Sequence, residues 1–307
     1  MDVKRLELLR ELALRGTVGA VADAMRVTPS AVSQQLKVLE QEAGTPLTEP
    51  AGRGIALTVA GRALAQTATE IAIAVERAES GWREFMKQPA GDVTLTTFPT
   101  GGQMLLPQVL SRLADVTGLR LVCTDQDPLL PDFADLTPDF DIVLADSPMN
   151  APSWRERGLT VVPLMSEPLD VALPENHRLG KKAKLTPQDL AGEIWISAPA
   201  GFPYDRILQE IEAVNAVPAI VTQRFMNNSI VESLVAAGHG IAILPRYTTR
   251  DRENGLITRP LAGVRTRRDI SALMRPDRSE RPSVQLVIET LKEEAAKLAA
   301  SHMKAAG

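Results

Sequence analysis

Ser30, Ser33, Gln34 and Lys37 fall three and four residues apart, so a helix would carry them on one face. These side chains read or hold DNA. Glutamine bonds adenine bidentately, serine reaches base edges or phosphate, and lysine goes to guanine or phosphate. A second set follows the strand-like run Val93–Thr97, where Thr100-Gly101-Gly102 opens a helix. Free backbone N–H groups and a threonine hydroxyl at such a start suit a carboxylate or another anion. Plainer readings stay open. The first set can be the solvated face of an ordinary amphipathic helix. Gly101-Gly102 can be a simple loop, and Asn227-Asn228 can cap a helix starting near Ser229.

The elements that must position the first set are legible around it. Thr17 can cap a helix in which Val18, Val21, Ala22 and Met25 form one apolar face. Arg26-Val27 is a turn. Thr28 is a second cap, and Pro29 sits at the first helical position, where its missing N–H costs nothing. In that second helix Val32, Leu36 and Leu39 face inward. A further helix from Asp2 to Arg15 precedes the pair, and Gly44 ends the third. The segment Thr45–Thr58 then carries Gly52-Arg53-Gly54. On a two-stranded ribbon such a tip can be laid along DNA, Arg53 entering a narrow minor groove, or it can be a surface turn.

From Thr58 to near Lys87 the pattern is one long helix. Leu57, Ala60, Leu64, Ala68, Ile71, Val75, Ala78, Trp82 and Phe85 step by three and four, the spacing of a coiled-coil seam. This stripe predicts a dimer contact, against the alternative that it packs on the chain's own domain. Gln88-Pro89-Ala90-Gly91 breaks the helix. Beyond it, strands at 93–97, 119–124, 141–145, 159–164, 169–173, 194–197, 219–223, 241–244, 256–261 and 270–274 are expected. Helices at about 103–116, 205–215, 229–237 and 283–300 alternate with them. Prolines 128, 131 and 138 make any helix at 127–138 short or irregular. Such alternation argues for parallel, helix-covered sheets, with ligands at the carboxyl ends of strands.

Composition bounds the function. The 307 residues carry a formal charge of −4, with 44% hydrophobic and 23% charged residues, so the chain holds more than one core and is no basic nucleic-acid coat. Residues 1–66 hold eight Lys/Arg against seven Asp/Glu. A lone cysteine, Cys123, excludes an internal disulfide or a CxxC metal site and reads as a buried strand residue. The three histidines show no ligand spacing, no apolar run approaches ~20 residues, and Met1–Arg15 has no secretion-type apolar stretch. A cytoplasmic protein without cofactor or metal is expected. No nucleophile elbow, metal cluster or glycine-rich phosphate loop supports an enzyme. A small-molecule-binding, solute-binding-like protein without a DNA role is the other alternative.

Together GTVGAVADAMRVTPSAVSQQLKVLEQEAGTPL, GRGIALTVAGRAL, VTLTTFPTGGQMLLPQVLSRL and SLVAAGHGIAILP resemble the LysR-type transcriptional regulators over nearly the whole chain. The resemblance implies an N-terminal all-α winged helix-turn-helix at 1–58 and a dimerising linker helix and hinge at 59–90. It also implies a two-lobed α/β effector domain at 91–307, like periplasmic binding proteins. Lobe I would hold 91–164 and 268–300, and lobe II 165–267. The implied partners are double-stranded operator DNA, a second copy through the linker helix, commonly a tetramer, and a small effector, anionic or amino-acid-like. DNA contacts would fall to Thr28, Pro29, Ser30, Ser33, Gln34, Lys37 and Arg53. The effector would meet Phe98, Thr100, Gly101 and Gly102, with Pro199, Ala200, Gly201, Phe202, Met226 and Asn227 facing them. Where the family commonly has an aromatic residue and an Arg after Leu47, Thr48 and Pro50 stand here, implying a wing held less tightly or anchored elsewhere, as by Arg53. A peroxide-sensing member would want two reactive cysteines, and Cys123 is alone.

Overall fold

The computed structural model describes residues 1–51, 54–85, 91–148, 154–249 and 255–305. Three helices open the chain: α1 (Val3–Arg15), α2 (Val18–Met25) and α3 (Pro29–Ala43). Each starts where a side chain takes up an orphan N–H. Asp2, Thr17 and Thr28 accept from the backbone of Lys4, Ala20 and Ala31. α1 and α3 end on left-handed glycines, Gly16 and Gly44, but α2 ends on Arg26 at φ 54, an arginine in a conformation glycine adopts at no cost. A hairpin of β1 (Thr48–Ala51) and β2 (Gly54–Leu57) follows, and then the long α4 (Val59–Phe85). Leu9, Val21, Val32, Leu36, Leu39 and Leu47 form one core with Ala65 and Ala68 of α4. Gly61 lets α4 touch the wing, since a Cβ there would lie 2.0 Å from the Leu47 carbonyl oxygen.

The apolar stripe of α4 therefore divides. Ala60, Leu64, Ala68 and Ile71 pack into the chain's own N-terminal core. Val75, Ala78 and Trp82 are exposed. Periodicity marks an apolar face and not what covers it, so the expectation of a dimer seam fails over the first half of the stripe.

The remaining chain folds around one continuous mixed sheet. β3 (Gly91–Thr97) lies parallel to β4 (Leu119–Asp125) and β5 (Ile142–Pro148). β11 (Arg267–Met274) runs antiparallel to β5, β6 (Thr160–Pro174) runs antiparallel to β11, and β9 (Ala242–Pro245) and β10 (Leu256–Arg259) pair with the far half of β6. The expected strands at 159–164 and 169–173 are thus one fifteen-residue strand, and the sheet is not purely parallel. Pro168 does not break β6, and the strand changes partners there, from β11 to β9. β7 (Ile194–Ser197) and β8 (Ile220–Arg224) form a separate parallel pair.

Helices α5 (Pro99–Leu113), α6 (Pro203–Asn215), α7 (Asn228–Ala236), α8 (Pro276–Ser279) and α9 (Pro282–Ala305) complete the chain. The Pro-rich stretch forms only a 3₁₀ turn, Leu130–Leu136. Two cores result. Val93, Leu95, Leu105, Val109, Ile142 and Leu144 pack with Val287 and Leu291 of α9. Leu169, Val171, Trp195, Ile207 and Ile211 pack with Ile241 and Ile243. Cys123 is half-buried on β4, and burial pushes its thiol up. No described helix is long and apolar enough to cross a membrane.

Candidate functional sites

On α3 the six expected residues Thr28, Pro29, Ser30, Ser33, Gln34 and Lys37 are all exposed, while Val32, Leu36 and Leu39 on the other side are buried. Local bonds order part of this face. The Thr28 and Ser30 hydroxyls lie 3.0 Å apart, and Ser33 donates to the Pro29 carbonyl at 3.0 Å. Gln34 and Lys37 project beyond. Arg53 lies outside the described residues. The wing is tied to α3 by Glu40, whose Oε1 accepts from the Leu47 N–H, the Thr48 N–H and the Thr48 hydroxyl, each at 2.9 Å. Partial burial works against the Glu40 charge, but these bonds outweigh it and hold its carboxyl below the usual range. Thr48, the departure from the family pattern, is thus a structural anchor for the wing.

The second site is a cleft of about 390 Å³ between the two cores. Phe98, Thr100, Phe202, Met226 and Asn227 line it, as expected. Gly101, Gly102, Pro199, Ala200 and Gly201 do not. The two glycines serve packing instead. A Cβ on Gly101 would meet the Phe98 ring at 2.7 Å, and one on Gly102 would meet Thr97 at 2.9 Å. Asn227 caps α7, its side chain accepting from the Ser229 N–H at 2.9 Å, and also lines the cleft.

The charged centre of the cleft is absent from the expected set. Arg268 is 3% exposed. It donates through Nη1 to Asp146 at 2.9 Å, and through Nε and Nη2 to Glu167 at 2.9 and 2.7 Å. Nη2 also donates to the Thr100 hydroxyl at 2.7 Å, and the guanidinium stacks 4.8 Å over the Phe98 ring. Arg268 and Glu167 are direct cross-strand partners of β11 and β6. Burial opposes the arginine's charge, but Tyr204, Glu167 and Asp146 more than offset it, so its pKa stands above the ordinary value. Tyr204 is pushed up to about 12, mainly by burial. Asp127, on the loop after β4, is exposed and lines the cleft. Lost hydration first, and the Asp146 charge second, push it up to about 6 against the pull of Arg268. A sequence signal for Arg268 exists: it lies two residues before Ile270, on the same face at the start of an apolar strand.

A third constellation joins the N-terminal unit to the sheet. From α1, Arg10 pairs with Asp277 at 2.9 Å, Glu11 with Arg275 at 2.8 Å, and Arg15 with Asp139 at 2.9 Å. Arg10, Glu11 and Arg275 are each about 5% exposed. Arg275 directly follows β11, the strand whose second residue is the cleft's Arg268.

Both halves of this arrangement have counterparts among known proteins. Residues 3–62 match the model of the bacterial regulatory helix-turn-helix protein, lysR family, and residues 86–296 match the LysR substrate binding domain. The HTH-type transcriptional regulator CbbR of Xanthobacter flavus is 26% identical over 304 residues, covering 96% of this chain and 88% of that protein. The Hca operon transcriptional activator HcaR of Escherichia coli is 26% identical, covering 86% of this chain and 88% of its own length. Among solved structures, a full-length OxyR variant from Pseudomonas aeruginosa superposes with TM-score 0.62 at 19% identity, over 95% of this chain and 98% of that one. Full-length CbnR complexed with its target DNA gives 0.54 at 19% identity, over 96% and 100%.

Proposed function

From the premise that the chain belongs to the LysR family of DNA-binding transcriptional regulators with an effector-binding domain, we propose how its own residues divide the work. Residues 1–58 bind operator DNA, 59–90 link and pair subunits, and 91–307 sense a small molecule. α3 enters the major groove, where Ser30, Ser33, Gln34 and Lys37 meet base edges and phosphates. Thr28 and Pro29 set where that helix begins, so that its free N–H groups face a phosphate. Arg53, between β1 and β2 in the sequence, goes to the minor groove or the backbone. The observation that carries this is the sorting of α3 into a buried apolar side and an exposed Ser/Gln/Lys side.

Pairing falls to the distal half of α4, where Val75 and Trp82 are 46% and 63% exposed. Two subunits then present their α3 helices to half-sites about one helical turn apart, and two dimers form the working tetramer in the cytoplasm. The effector occupies the Phe98–Thr100–Phe202–Met226–Asn227 cleft. It acts by favouring one closure of the lobes over the other, because a ligand of equal affinity for both shifts nothing. β11 carries the change, since it runs from Arg268 in the cleft to Arg275 against α1.

The direct test is Gln34→Ala. Gel shifts with an operator fragment and with random DNA should show a loss of roughly 1–3 kcal/mol on the operator alone. Equal losses on both, or none on the operator, would remove Gln34 from base reading.

A further inference from the structure

The charges of the cleft do not balance. Two carboxylates, Asp146 and Glu167, already surround the one guanidinium of Arg268, and four of its five N–H groups are committed to them and to Thr100. The arginine is thereby spent on the protein's own acids and leaves little for an incoming anion. Asp127 is a third carboxyl on the same cleft, and among the described residues no ion pair involves it. The remaining lining groups, Gln103, Asn227, Asn228 and Ser229, add polarity but no positive charge. The walls are aromatic and apolar: Phe98, Phe133, Phe202, Tyr204, Met226 and Pro128. A cation over such rings gains further attraction. No group of three or more His, Cys, Asp or Glu is disposed to hold a metal ion among the described residues.

We infer that the effector is a small organic cation, a protonated amine on a largely apolar body, whose ammonium meets Asp127 while the body lies against Phe98, Phe202 and Met226. This replaces the anionic effector suggested by the Thr100-Gly101-Gly102 helix start, because neither glycine lines the cleft and the cleft's arginine is held by the chain's own carboxylates. It rests on the reading of this cleft as the effector site. The elevated titration of Asp127 agrees with it. An ionised Asp127 is strained beside Asp146, and an ammonium relieves that strain.

The experiment uses the full chain and matched probes: 2-phenylethylamine against 3-phenylpropanoate, and hexylamine against hexanoate. Melting shifts and isothermal titration should show each amine binding in preference to its carboxylate partner. Asp127→Asn should weaken the amine at least tenfold while raising the melting point of the unliganded chain at pH 7. Amine affinity should fall as pH is lowered from 7 to 5. The groups facing Asp127 across the cleft are Asp146 on β5, Arg268 on β11 and Tyr204 on α6, with Glu167 on β6 buried behind Arg268, and of the cleft's shifted groups Asp127 alone has a value inside that window. Preference for the carboxylates, unchanged amine affinity in Asp127→Asn, affinity that rises on acidification, or silence of both amines would overturn the inference. So would a shift produced by Mg²⁺ or Ca²⁺ alone. Operator binding is followed in the same samples. Amines that bind without changing it leave the ligand class standing and refute the cleft as the regulatory site.

Discussion

Two clusters of opposite charges stand at the two ends of β11, and they are built to different ends. At the junction with α1, Arg10, Arg15 and Arg275 meet Glu7, Glu11, Asp139 and Asp277, so each buried charge faces an opposite one. In the cleft a single arginine serves two carboxylates, and a third faces open space. In the first cluster every charge has an opposite partner within the chain, although Arg10 Nε and Nη1 are buried without a hydrogen bond. The second is satisfied only around Arg268 and leaves Asp127 for something that is not part of the chain. Both use the same residue types, so the difference between holding a fold and receiving a ligand lies in charge balance and access.

The largest expected effect is at Arg268. Arg268→Ala strands Glu167, which is 0% exposed, and Asp146 at 4%. Removing one partner of a buried ion pair typically costs about 3–5 kcal/mol, which urea unfolding would read as a lowered midpoint. A loss below about 1 kcal/mol would mean that water already reaches these carboxylates, and the contrast between the two ends would weaken.

Arg275→Ala should cost less, about 2–3 kcal/mol, at the low end for a hydrogen-bonded buried charge pair. Glu11 would keep Arg15 at 2.8 Å, and Asp277 would keep Arg10. The informative readout is limited proteolysis between α4 and β3. Faster cleavage marks release of the N-terminal unit, and unchanged cleavage would show that the junction is held by something else.

Acid should separate the clusters in pH. Burial works against the charges of Glu11 and Asp277, but Arg275, Arg15 and Arg10 outweigh it and hold both carboxyls below their ordinary range. Their contribution is therefore complete above the unfolded values near pH 4 and is lost as pH falls through the lower native values. Asp127 has the opposite sign. Its native value near 6 lies above its unfolded one, so the free protein gains stability as pH falls from above 6 toward 4. Melting points across pH 3–7 should rise on acidification, then fall. Asp127→Asn should remove the rise and leave the fall.

The two ends also differ in how far the sequence reveals them. Thr28-Pro29 and the residues after it act within a few positions, so cap, helix and exposed face could be read directly. Thr100 and Phe98 were reachable as the end of a strand followed by a helix start. The Arg268–Glu167 pair spans 101 residues and depends on the antiparallel register of β11 on β6, which no local pattern carries. The merging of the two expected strands, 159–164 and 169–173, into β6 is the same failure, because the exchange of neighbours at Pro168 is set by strand pairing and not by local pattern. The stripe on α4 failed differently. Its spacing was right, but half of it is covered by α1 of the same chain.

The smallest effect should come from Asp139→Asn. Asp139 pairs with Arg15 at 2.9 Å, much as Glu11 pairs with Arg275, yet its side chain is 62% exposed against 7% for Glu11. Water screens such a pair and solvates whichever partner is left, so the loss should stay within about 0.5 kcal/mol. Arg15 also donates to the Pro138 carbonyl at 3.2 Å and to Glu11, and so keeps its place after the change. Unfolding midpoints for Asp139→Asn and Glu11→Gln, measured side by side, set burial against charge count. If the two variants lose equally, what matters at this junction is the number of ion pairs. If Glu11→Gln alone is costly, exclusion of water is what makes the cluster hold.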